Sequence, residues 1–142
     1  MRLLTKLGLS LALALPFATA AFSAEKIVSL EVSIDDAALV KKDAGIRTLY
    51  VILYDADSQR PMPYGAIKID LKEDAKGAFY KGDLTSDNVQ AMGGGAVPKN
   101  LRLKARLDKD GSAGMDSPGD LVGTAEKVKV GDSVKIKINK AI

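Results

Sequence analysis

Hydrophobic residues recur at every second position in several separate stretches of this chain, a period that predicts half-buried β-strands. Residues 27–34 read IVSLEVSI, where Val28, Leu30, Val32 and Ile34 alternate with Ser29, Glu31 and Ser33. Residues 64–72 place Ile67, Ile69 and Leu71 on one face and Lys68, Asp70 and Lys72 on the other. The cleanest alternation is residues 100–108, NLRLKARLD, with Leu101, Leu103, Ala105 and Leu107 inward and Arg102, Lys104 and Arg106 outward. Residues 133–140 repeat it, with Val134, Ile136 and Ile138 inside and Lys135 and Lys137 outside. Residues 47–54, RTLYVILY, do not alternate; nearly all are β-branched, aromatic or Leu, which predicts a central strand buried on both faces. Tyr50 and Tyr54 are expected there as packing residues with their hydroxyls at the sheet rim. Residues 121–130 supply a further strand and residues 78–81 a short one.

The connections carry turn chemistry. Residues 35–43, DDAALVKKD, predict a short helical turn behind an Asp cap. Residues 55–63 form a loop in which Pro61 and Pro63 impose extended geometry on the residues before them. Residues 85–99, TSDNVQAMGGGAVPK, contain the run Gly93, Gly94, Gly95 and little periodicity, which predicts a long loop of the kind that carries function. Residues 111–123, GSAGMDSPGDLVG, hold four of the thirteen glycines together with Pro118 and the backbone-bonding side chains Asp116, Ser117 and Asp120. About seven strands separated by such turns predict an all-β fold, an antiparallel β-sandwich.

The first residues add a compartment. Arg2 and Lys6 precede an apolar run from Leu7 to Phe17 that is short for a bilayer span, and Ala18 and Ala20 give a small-x-small cleavage pattern. The expectation is a cleavable signal peptide over residues 1–20, cut as late as 23 in the alternative, a single domain over residues 21–142, and a soluble periplasmic product without a membrane anchor. Losing residues 1–20 turns 21 basic and 18 acidic residues into 19 and 18, so the net charge falls from +3 to about +1. That balance gives no ground for a nucleic-acid partner. The sequence has no cysteine, so the domain must hold by packing without disulfides, and no histidine. A Zn site of the usual ligands, a Ser-His-Asp triad and a Cys-His dyad are thereby excluded. The paired acids Asp35 and Asp36, or Asp55 and Asp57, have no nucleophile or positioned base beside them, so the chain is expected not to be an enzyme.

The run 105–123, ARLDKDGSAGMDSPGDLVG, followed by Val128 to Gly131 and a closing alternating strand, resembles the C-terminal periplasmic domain of the cytochrome c-type biogenesis proteins CcmI and CycH. That domain shows an alternating strand, a Ser-x-Gly-x-Ala-Met-like turn, then Pro-Gly-Asp-Leu-x-Gly. Agreement upstream includes Leu49 to Tyr54 leading through Asp55 and Ala56 to Met62 and Pro63, and Asp87 to Met92 before the glycine run; the resemblance covers about residues 34–142. It implies an immunoglobulin-like sandwich, a periplasmic location and a protein partner, apocytochrome c or its maturation machinery. The membrane segment and tetratricopeptide repeats that precede the domain in that family are not in these residues.

The two glycine-rich loops are the expected partner surface, through Met92, Gly93, Gly94, Gly95, Met115, Asp116, Pro118, Gly119 and Asp120. A chaperone-like binding module acting through these loops or through a sheet edge is the leading expectation. A second surface is a basic face of Arg102, Lys104, Arg106, Lys135 and Lys137, suited to an acidic partner or haem propionates, or simply wet. The methionines Met62, Met92 and Met115 all fall in loops. Converging, they could bind Cu(I) or approach a haem iron; otherwise they fill irregular gaps where loops cap the core. No cofactor is expected for the binding module; Cu(I) contact belongs to the methionine reading alone, and haem contact to that reading and the basic face. Asp108, Asp110, Asp116 and Asp120 lack the glutamate of a calcium loop and are expected as solvated acids of a hairpin. A Cu(I)-handling protein and a structural accessory subunit of an envelope complex remain the alternatives.

Overall fold

A computed structural model describes residues 24–59 and 62–142, and these fold as a β-sandwich of two sheets. The signal peptide expected at residues 1–20, with its alternative end at 23, lies outside the described residues. The first alternating stretch is β1 (Lys26–Ile34), and it is followed by a short helix α1 (Ala37–Asp43). Asp36 caps this helix, its carboxylate accepting from the amides of Ala38 at 2.8 Å and Leu39 at 3.3 Å, while Leu39 anchors it to the core. Then come β2 (Thr48–Asp55), β3 (Gly65–Asp70), β4 (Gly77–Thr85), β5 (Gln90–Ala91), β6 (Asn100–Asp108), β7 (Leu121–Lys129), β8 (Ser133–Lys137) and β9 (Lys140–Ala141). Seven of these have five or more residues, in agreement with the expected count; β5 and β9 are two-residue additions.

The smaller sheet has the order β4, β1, β8 and the larger the order β5, β3, β2, β6, β7, β9. Every neighbouring pair is antiparallel except β1 and β8, which run parallel from Ser29 opposite Ser133 to Ser33 opposite Lys137. The core between the sheets takes the predicted inward positions: Val28, Leu30 and Val32 from β1, Leu49, Val51 and Leu53 from β2, Leu101, Leu103, Ala105 and Leu107 from β6, and Val134, Ile136 and Ile138 from β8 and its end. As expected, β2 is central and is buried on both faces from Thr48 to Leu53.

The strand begun at residues 78–81 is longer than the sequence suggests, because β4 pairs with β1 along its whole length. The 85–99 loop is also less free. Its β5 segment pairs with Gly65 and Ala66 of β3, and Val89 is buried.

The chain changes sheets between β8 and β9. Ile138 N–H donates to Ser33 O at 2.8 Å in the smaller sheet, and the next residue, Asn139, donates to Val122 O at 3.0 Å in the larger. This crossing passes so close to β7 that a Cβ on Gly123 would lie 2.1 Å from Lys137 O.

Candidate functional site

The outer face of the six-stranded sheet carries two rows of side chains in register. Tyr50, Ile52 and Tyr54 of β2 stand opposite Arg106, Lys104 and Arg102 of β6. Arg102 lies over the Tyr54 ring at 4.1 Å and Arg106 over the Tyr50 ring at 5.2 Å, cation–π pairs that align the rows. On the other side of β2, Ala66 of β3 stands opposite Ile52 and leaves space beside it.

The segment after β6 folds back across this face. Tyr50 Oη donates to Gly111 O at 3.2 Å, and Arg106 Nη1 donates to Gly114 O at 2.7 Å, so the two stacked residues hold the loop at two points. Arg106 is only 2% exposed. Its Nη1 also reaches Asp116 Oδ1 at 3.2 Å, and its Nε is 3.0 Å from Asp108 Oδ2 without the alignment of a hydrogen bond. Lys104 pairs with the other oxygen of Asp116. Beneath them Asp120 is fully buried, accepting from Lys109 N–H at 3.0 Å and from Ser117 N–H at 2.9 Å.

These charges set one another's proton affinities. Burial pushes Asp116 upward, but the hydrogen bonds and charges of Lys104 and Arg106 outweigh it and hold the carboxyl below its ordinary range. Asp108 moves the other way: burial, its hydrogen bond with Asp110 and the nearby Asp120 raise it, against a smaller opposing pull from Arg106. Asp110 is lowered by that hydrogen bond and by the Ser112 amide.

Between the loop and β3 lies an open groove of about 560 Å³, floored by Tyr50, Ile52, Tyr54 and Ala66 and bordered by Pro63, Met92, Met115 and Asp116. Met92 is fixed at its backbone, where its N–H donates to Tyr64 O at 2.9 Å, but its side chain is 58% exposed; that of Met115 is 91% exposed. A smaller depression of about 370 Å³ on the opposite sheet is lined by Leu30 and Val134 together with polar side chains including Ser29, Glu31, Lys81 and Asp83.

The structure brings together some of the sequence-predicted residues and separates others. Met92, Met115 and Asp116 meet in the groove, whereas Gly93, Gly94 and Gly95 are exposed outside it. Pro118 is exposed but does not line the groove, and Gly119 packs against the Lys109 side chain. Asp120 cannot meet a partner because it is fully buried and engaged by backbone amides. The single basic face does not form: Arg102, Lys104 and Arg106 belong to the larger sheet, Lys135 and Lys137 to the smaller, and Arg106 is covered by the loop. Lys137 instead approaches Asp35 at 3.2 Å in solvent, a screened pair of little consequence. The acids expected to be solvated divide as well, since Asp108 and Asp120 are buried.

The methionines do not fill core gaps. All three are exposed, Met62 by 72%, and Met62 is not among the groove residues, so a three-sulfur cluster is not formed there. Among the described residues no group of three or more His, Cys, Asp or Glu side chains is placed to hold a metal ion. Sequence reasoning missed the groove floor; the available signal was the pairing of outward residues on β2 with those of β6, hidden because β2 reads as wholly buried.

A sheet edge is the other docking surface the sequence suggests, and β4 is the longest edge strand. Ser86 N–H donates to Glu25 O on the β1 side, so the preceding residue, Thr85, directs its N–H to the free side. There the Asn88 carboxamide accepts from Thr85 N–H at 2.8 Å and donates to Asp83 O at 2.8 Å, as a neighbouring strand would. One end of the edge is thus closed from within.

Compared with protein-family models, curated proteins and solved structures, the chain matches none.

Proposed function

We propose that this is a non-enzymatic binding module of the periplasm that docks an extended apolar segment of a protein partner in the groove of the larger sheet. One observation carries the reading: Met92 and Met115 border a single groove floored by two tyrosines and an isoleucine. Exposed large apolar side chains gathered at one concavity mark an interaction site, and the unbranched thioether adapts to varied side chains. The groove's size suits a few side chains rather than a folded domain. The closed end of the β4 edge favours the groove over strand addition. Apocytochrome c, or a component of its maturation machinery, is the partner that the resemblance to CcmI and CycH implies. The test is an amide and methyl NMR titration of the protein with unfolded apocytochrome c. Saturable shifts at Tyr50, Tyr54, Met92 and Met115 support the reading; shifts confined to the smaller sheet, or none, overturn it.

A second reading, Cu(I) handling, draws on the same two thioethers, because soft sulfur ligands suit that ion. A Cu(I) affinity no tighter than that of the Met62, Met92 and Met115 triple Leu variant ends it.

A further inference from the structure

We infer that Asp116 occupies the place of a partner's carboxylate, so that the groove selects an apolar segment carrying an Asp or Glu and exchanges that acid for its own. The inference rests on the docking role proposed for the groove and adds the chemistry of the occupant. Lys104, Arg106 and Asp116 are the charged side chains among the groove's lining residues. Arg106 has two further acids at hand, Asp108 and Asp120, but the acid paired with Lys104 is Asp116. The Lys104 side chain is 17% exposed, so an ammonium left there without a carboxylate would be poorly hydrated.

Asp116 can leave without undoing the loop. The loop is held by Tyr50 at Gly111, by Arg106 at Gly114, and by Asp120 at Lys109 and Ser117, none of which needs the Asp116 carboxylate. Its neighbour Met115 is 91% exposed, so the residue sits at the water boundary and regains hydration on turning outward. A segment with an acid beside an apolar residue can take over Lys104 while its apolar side chain covers Tyr50 and Ile52. A neutral segment has only the groove as it stands, with Asp116 kept on Lys104, and gains no contact with the ammonium, because displacing Asp116 would strand Lys104. Apolar contact thus supplies affinity, and the exchange of carboxylates supplies selection.

The test uses two capped pentapeptides of Leu and Phe, one with a central Glu and one with a central Gln, titrated into the protein by NMR. The Glu peptide is expected to bind about tenfold tighter at low salt, with the Lys104 and Asp116 signals moving. Asp116→Asn should raise Glu-peptide affinity several-fold, and Lys104→Met should erase the difference between the peptides, each in a protein of unchanged circular dichroism. Equal affinities of the two peptides for the unaltered protein would overturn the carboxylate exchange and leave the groove as a neutral docking site. No saturable binding of either peptide would overturn both.

Discussion

The carboxylate of Asp120 reaches back eleven residues to accept the backbone N–H of Lys109 at 3.0 Å, and in doing so closes the loop that forms one wall of the groove. Its other oxygen accepts from Ser117 N–H at 2.9 Å. Asp120→Ala removes a fully buried carboxylate and leaves two part-buried backbone donors, at Lys109 and Ser117, without their acceptor. The expected loss is about 3 kcal/mol of stability, and a Tm lower by roughly 10 °C. Thermal unfolding by circular dichroism measures it; a change within about 1 °C would show that water replaces the carboxylate.

Asn88 guards an edge rather than a core. Asn88→Ala frees Asp83 O and Thr85 N–H on the open side of β4 and should leave the fold intact while promoting association through that strand. Light scattering on concentrated protein gives the readout, with a growing dimer or aggregate fraction expected. A variant as monodisperse as its parent would remove the edge-closing role.

Two glycines should behave in opposite ways. At Gly123 an added methyl meets Lys137 backbone, and neither the strand nor the crossing can yield without breaking the junction of the sheets. Gly123→Ala is therefore expected to cost about 3 kcal/mol. At Gly93 nothing lies within 4 Å, and Gly93→Ala should change stability by less than about 0.5 kcal/mol. Chemical denaturation of both variants tests the contrast.

Asp43 gives a pH dependence of defined sign. It is fully buried at the end of α1, where Oδ2 accepts from Ala75 N–H at 2.9 Å and Oδ1 has no hydrogen-bond partner. Burial raises its pKa above the ordinary 3.8, more than the Ala75 amide lowers it. An acid that holds its proton more tightly when folded contributes stability fully below its unfolded pKa. That contribution is lost as pH rises through the folded value. Asp43→Asn should abolish this declining limb above pH 3.8, with the largest gain relative to the parent at neutral pH. Denaturant midpoints from pH 3 to 8 provide the check; parallel curves for the two proteins would refute it.

The two-residue period exposed most of the fold because it reports which side of a strand meets the core, and the inward positions of β1, β6 and β8 are occupied as it requires. It carries no information about what covers the other side. Arg106 is outward in register, as its position dictates, yet it is among the most buried side chains because residues 109–120 fold over it. Asp108 and Asp120 were illegible for the same reason: turn chemistry describes a local bend, not the surface it lands on. The parallel pairing of β1 with β8 was equally hidden, since alternation is the same for either strand direction. Met92 and Met115 were legible as loop residues, but their common groove depends on how two distant loops are placed.

That parallel pairing also orders events in time. β1 lies between β4 and β8, and the partner of its second side is made about a hundred residues later, on the segment that then crosses to the other sheet. Such distant pairings make a slow folder. While the chain is being synthesised, β1 and β4 can meet early, but β8, on the other side of β1, arrives near the end. Until then β1 has only one of its two neighbours, and the edge that β8 covers in the finished sheet is open.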